Sequence, residues 1–245
     1  MTRDKDIREP LFDFLEDTYG KIRILEEKNM GKSRADIVMV APGAIYGIEI
    51  KSDADTYTRL AGQVRDYDRY FDMNIVVVGS SHAYHIEEHV PEYWGIITVD
   101  EIEASSSSAD GSLDFYVLRK PRPNPKCKLE HKLSLLWRTE LMKIQVHLDM
   151  PKYKDKNRAF VVSKIIDTVT ARDMLDELDH LICDILFDRD YNTIAREIGE
   201  FRKSELQKRI DIETDPALKL GMMLERASYK TRFKRKRSRR KRSGR

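Results

Sequence analysis

Residues 35–53 read "ADIVMVAPGAIYGIEIKSD". Two apolar runs flank Pro42-Gly43, a pattern that predicts two strands joined by a tight turn. Side chains alternate across a strand, so Tyr46, Ile48 and Ile50 take one face while Gly47, Glu49 and Lys51 take the other. An acid and an ammonium in so apolar a neighbourhood have two readings. They are a solvated face with cross-strand ion pairs, or they are the working part of the protein. Asp36 opens the preceding strand, and pairing through the turn would bring it near Glu49.

On the N-terminal side, Ile7, Leu11, Phe14 and Leu15 fall on one helical face within residues 5–19, and Gly20 ends the pattern. Residues 21–28 are expected to form the first strand. On the C-terminal side, Leu60, Val64, Tyr67 and Phe71 mark an amphipathic helix, with Asp53 or Asp55 as its N-cap. "NIVVVGS" (74–80) reads as a central buried strand and "WGIITVD" (94–100) as another. "LDFYVLRK" (113–120) reads as an edge strand. The order predicts an α/β fold around a mixed sheet.

"KPRPNPK" (120–126) carries three prolines and reads as a boundary. Three regions are expected: a domain over 1–120, a helical region over 121–229 and a basic tail over 230–245. In the helical region Leu133, Leu136, Trp137 and Leu141 stripe one segment, with Trp137 read as core. A second helix is expected from Asp167 to Leu186, and one or two more over 191–226 with a break near Pro216.

Composition narrows the class. The chain has 245 residues, 40% of them hydrophobic, enough for a sizeable core. No apolar run nears the roughly 20 residues that cross a bilayer. The N-terminus "MTRDKDIREP" has no apolar stretch of a secretion signal. Cys127 and Cys183 sit far apart in unlike contexts, as reduced thiols would. A cytoplasmic location is expected. The last 16 residues, "KTRFKRKRSRRKRSGR", hold 11 Lys or Arg and no acid; taking these from the 45 in the chain leaves 34 against 42 Asp and Glu. A run of like charge cannot bury a core and should be disordered, with phosphate contacts as its functional reading. Lys234, Arg235, Lys236, Arg237, Arg239 and Arg240 lie at its centre.

Two clustered carboxylates repel unless a cation lies between them. Hard oxygen donors suit Mg²⁺ or Mn²⁺, and a neighbouring lysine can orient or deprotonate a water or stabilise charge at phosphorus. Asp36, Glu49 and Lys51 together fit hydrolysis of a phosphodiester, although the spacing alone is also common in solvated strands.

The stretch "RADIVMVAPGAIYGIEIKSDADTYTRLAGQVRDYDRYFD" (34–72) strongly resembles the PD-(D/E)XK nuclease superfamily. "FDMNIVVVGSSH", "VPEYWGI" and "LSLLWRTEL" are similar to a branch of it found in bacteria and their phages. The resemblance implies a restriction-endonuclease-like αβββαβ core, a divalent metal (Mg²⁺ or Mn²⁺) and DNA as partner. It puts Asp36 and Glu49 in the metal-binding positions, Lys51 in the catalytic one, and Gln63 beside them. Ala35 stands where the namesake proline does. Arg59, one turn before Gln63, is read as a phosphate contact. An acid on the first helix often joins such sites, and Glu9 is favoured here over Asp6, Asp13 and Glu16. The expected activity is that of a DNA endonuclease or nickase. The alternative is a catalytically inactive nucleic-acid-binding module on the same fold. A homodimer or a protein partner through the helical region stays open.

A competing motif is set aside. His85-x-x-Glu88-His89 matches an inverted zincin pattern. Val90-Pro91 leaves little room for the helix it needs, and no third ligand stands nearby. Trp94 is read as a packing anchor.

Overall fold

The computed structural model describes residues 4–52, 55–102, 112–189 and 206–224. By contacts the chain divides into two units, Met1–Asp188 and Arg189–Arg245. In the second unit, 206–212 and 216–224 are helical. The expected tail lies outside the described residues.

The first unit opens with helix α1 (Asp4–Tyr19) and three strands: β1 (Arg23–Met30), β2 (Ser33–Ala41) and β3 (Ala44–Lys51). A short 3-10 turn (Tyr57–Arg59) leads into α2 (Leu60–Tyr70), then β4 (Met73–Gly79), α3 (Ser80–Ala83), β5 (Gly95–Ile102) and β6 (Ser112–Arg119). The sheet runs β1-β2-β3-β4-β5-β6. Its first three strands are antiparallel, β3-β4 and β4-β5 are parallel, and β5-β6 is antiparallel. The architecture is therefore mixed α/β, with the expected helix, three strands, helix and strand in that order. The turn works as expected: Ala41 pairs with Ala44, and Gly43 has the positive φ of 79° that a type II turn needs after proline.

The two faces of β3 separate as the alternation requires. Tyr46, Ile48 and Ile50 join Ile37, Met39, Ile75 and Val77 in a core closed by Ile7, Leu11 and Leu15 of α1. The opposite face packs against Leu60, Val64, Tyr67 and Phe71. Gly47 permits this second contact. A Cβ there would stand 2.6 Å from Tyr67 Cδ1 and overlap the Phe71 ring as well.

Beyond the prolines come α4 (Leu129–Ser134), α5 (Arg138–His147), α6 (Arg158–Arg172) and α7 (Leu175–Phe187). They share a unit and a hydrophobic cluster with the sheet instead of standing apart from it. Polar links explain why the proline-rich segment lies down. The Asn124 side chain donates to the carbonyls of Asp68 and Phe71, both at 2.8 Å. Lys132, 3% exposed, joins Asp72 at 2.8 Å to Asp179 of α7 at 2.7 Å. Asp72 also accepts from the Ile45 amide at the start of β3. Asp68 is a second buried hub: it accepts from Trp94 Nε1 at 2.9 Å and Tyr93 OH at 2.7 Å. Trp94 is fully buried, as its reading required.

Several local expectations need correction. Asp55 does not cap α2; its carboxylate accepts from the Ser52 amide and hydroxyl at 2.9 and 2.8 Å, closing a turn after β3. Asp53 lies outside the described residues. The 133–141 stripe spans two helices, because α4 ends at Ser134 and the chain is extended at Trp137 before α5, and Trp137 is only half-buried. The helix expected over 167–186 is likewise two, interrupted where Asp173 turns to a φ of 56°.

Gly47→Ala should lower stability by about 1–3 kcal/mol, since overpacking forces α2 off the sheet. Urea unfolding of the two proteins measures it.

Candidate functional site

Strand pairing sets the site. The β2–β3 ladder ends at Ile37–Ile48, whereas β3 runs on beside β4 as far as Lys51–Val78. Past that point β3 loses its β2 partner. Asp36 fills the gap: its Oδ2 accepts from the Ile50 amide at 3.0 Å, where a backbone carbonyl would otherwise be needed. The carboxylate of Asp36 is thereby pinned at the amide that follows Glu49.

Glu49 is 1% exposed and Lys51 5%. A charge so deep must be paired. Lys51 Nζ lies 2.6 Å from Glu49 Oε1. Gln63 Nε2 of α2 donates to the same oxygen. Tyr67 OH, one helical turn on, donates to Glu49 Oε2 at 2.7 Å. The Asp36 amide in turn donates to the Tyr67 oxygen at 3.3 Å. One phenol thus ties the first strand's acid to the second's. Burial first, then the Glu49 and Asp36 charges, push the Tyr67 phenol well above its usual range.

On the other side of Asp36, Arg8 of α1 reaches Oδ1 at 3.7 Å and Glu26 at 3.4 Å. Glu9, the next residue, points elsewhere and is exposed. The acid expected from α1 is thus not brought to Asp36; the basic residue beside it is. Arg59 is exposed at the end of the 3-10 turn, one helical turn ahead of Gln63. Lys234, Arg235, Lys236, Arg237, Arg239 and Arg240 lie outside the described residues.

Two roles escaped the sequence. Tyr67 was legible as core, but its hydroxyl works at the site. Arg8 carried no signal beyond its place on the helix before Ile7 and Leu11 could be oriented against the sheet.

Among the described residues, no group of three or more His, Cys, Asp or Glu is arranged to hold a metal. A divalent ion would rest on Asp36 and Glu49, with neutral oxygens completing its shell, which suits Mg²⁺ and its retained waters. One observation fits such a group. Gln63 Oε1 is buried and has no hydrogen-bond partner. Its amide cannot be reversed, because Nε2 must face the Glu49 carboxylate. The orphaned oxygen is an acceptor waiting for a water or a cation.

The histidine cluster is arranged differently. His82 and His89 pack on the Tyr57 ring, with centroids 5.1 and 4.2 Å away. His85 Nδ1 stands 3.9 Å from Glu88, both largely exposed.

The Tyr67 geometry makes a pH prediction. Because the folded phenol holds its proton more tightly than an unfolded one, its contribution is complete below about pH 10 and is lost as pH rises beyond that. Tyr67→Phe should cost about 1–3 kcal/mol at neutral pH and make the alkaline loss of stability shallower. Unfolding free energies from pH 7 to 11 check both.

The family model for Bacteriophage P4 protein cII matches residues 2–211. No curated protein and no solved structure matches the chain. The match takes in α1, the whole sheet, the Asp36–Glu49–Lys51 group and helices α4–α7. The chain belongs to the bacteriophage P4 protein cII family.

Proposed function

We propose that the protein is a metal-dependent phosphodiesterase acting on DNA, an endonuclease or a nickase on a restriction-endonuclease-like core. The observation that carries this reading is the buried Glu49, held by Lys51, Gln63 and Tyr67 beside Asp36, with the Gln63 oxygen left unpartnered. A merely solvated strand face has no reason to bury an acid this deeply or to orphan an acceptor next to it.

Asp36 and Glu49 would hold Mg²⁺ or Mn²⁺. When bound, such an ion supplies Lewis-acid polarisation of a phosphoryl oxygen and a lowered pKa for water. The protein's own groups do the rest. Lys51 Nζ places a positive charge at the end of β3, where it orients the attacking water and stabilises charge at phosphorus. Gln63 accepts a hydrogen bond from that water. Tyr67 holds Glu49 in one rotamer, and Arg8 steadies Asp36. Arg59, exposed at the mouth of α2, contacts the phosphate backbone, and the basic run over 230–245 adds sequence-independent phosphate contacts.

A second reading has an observation of its own. Lys51 against Glu49 and Arg8 against Asp36 balance the two acids without any metal. A catalytically inactive nucleic-acid-binding module would be satisfied with that arrangement.

The readings part on turnover. Linear, nicked, branched and single-stranded DNA, offered with Mg²⁺ and with Mn²⁺, should yield at least one cut form. Lys51→Ala should reduce the rate by at least about 100-fold while leaving DNA binding in place. DNA bound but intact in every form and both metals sinks the enzyme and leaves the binding module.

The tail is tested separately. Removing 230–245 should weaken DNA binding and flatten the dependence of log affinity on log salt. An unchanged slope rules the run out as a phosphate clamp.

A further inference from the structure

Consecutive residues of a strand face opposite ways. Glu26 and Glu27 of β1 do not. Both reach one guanidinium, that of Arg8 on α1: Nη1 lies 3.4 Å from Glu26 Oε2 and 3.9 Å from Glu27 Oε1. The backbone makes this possible. Glu27 takes a φ of 52°, in the left-handed region that residues other than glycine seldom enter. The ladder skips it: Glu26 pairs with Ile37 and Lys28 with Ala35, so Glu27 stands out of register opposite Asp36. A strained residue thus turns a second carboxylate toward Arg8, and such strain collects at functional sites.

Arg8 is also a neighbour of Asp36, but at longer range. Its other arm, Nη2, stands 3.7 Å from Asp36 Oδ1, beyond hydrogen-bond length. The Arg8 side chain is 11% exposed, the two glutamates 53% and 52%. A cation so covered needs anions beside it. Without metal, Asp36, Glu26 and Glu27 together supply them. A divalent ion on Asp36 takes that carboxylate's charge for itself and repels the guanidinium beside it. Glu26 and Glu27 still balance Arg8. Glu27 is shared with Arg34 at 3.3 Å, so Glu26 carries the larger part.

We propose that Glu26 and Glu27 are positioning residues of the metal site: they hold the Arg8 guanidinium off Asp36, so that a divalent cation can take this carboxylate. The inference rests on the reading of Asp36 and Glu49 as metal ligands. Neither glutamate is itself a ligand. With both present, Arg8 gives up one of its partners when the ion arrives and keeps the others. With both neutralised, the guanidinium closes on Asp36 and competes with the ion. The ion pair that balances Asp36 in the metal-free chain is thereby made exchangeable.

Mn²⁺ binding to the full chain, followed by paramagnetic resonance at low ionic strength, tests this. Glu26→Gln together with Glu27→Gln should weaken binding by about tenfold. In an Arg8→Gln background the same two changes should weaken it by about threefold or less, because no guanidinium remains to close on Asp36. Lost negative charge alone would act equally in both backgrounds. A second comparison does not require Arg8 to be replaced. Glu26→Gln by itself should weaken binding by about threefold or more, whereas Glu9→Gln, an equal loss of charge at an exposed position beside Arg8 in the sequence, should leave it within about twofold. Equal losses in the two backgrounds, or equal effects of Glu26→Gln and Glu9→Gln, overturn the proposal. So does an affinity that neither glutamate of β1 affects. A native chain that binds Mn²⁺ and gives one of these results loses only this inference; a native chain that binds none loses the metal reading as well.

Discussion

Burying the Glu49 carboxylate in the middle of a sheet fixes much of what surrounds it. An acid that deep costs several kcal/mol unless donors meet it, and three side chains do: Lys51 from the same strand, Gln63 and Tyr67 from α2. Each donor sets a condition. Lys51 must lie two residues on, so β3 must stay extended through it. Gln63 and Tyr67 must sit one turn apart on α2. The helix must also come close, which Gly47 alone allows. The glycine beneath the helix and the acid beside it are parts of one arrangement.

The parting of β2 from β3 is the second constraint. A strand that leaves its neighbour exposes an amide, and here a side chain takes the place of the missing carbonyl. That places Asp36 where the sheet opens next to Glu49. The polar hubs around Asp68 and Asp72 anchor the C-terminal end of α2. They bind α2, the start of β3, the proline-rich segment and α7 into one body.

Much of this was legible in the sequence because period-two and helical patterns are strong where one face is buried. The hairpin, the amphipathic spacing of Leu60, Val64, Tyr67 and Phe71, and the grouping of Glu49 with Lys51 all follow from periodicity. The rest depends on tertiary contacts. "KPRPNPK" reads as a boundary because proline ends regular structure, but the segment is tied down through Asn124, whose partners lie more than fifty residues away. Asp55 has an N-cap's chemistry and serves a turn instead. The break at Asp173 leaves no proline or glycine to announce it. Tyr67 reads as apolar by its spacing, and only the position of Glu49 gives its hydroxyl a task. Arg8 or Glu9 is a choice of roughly 100° around a helix, which the sheet decides and composition does not.

As proposed, Asp36 and Glu49 would hold a divalent metal, and would not be just acids neutralised by Arg8 and Lys51. Binding of Mn²⁺ followed by its paramagnetic resonance signal addresses this without reference to any substrate. One site per chain is expected, which Asp36→Asn and Glu49→Gln each weaken by about tenfold or more. Binding that neither substitution changes, or no binding at millimolar Mn²⁺, would contradict it.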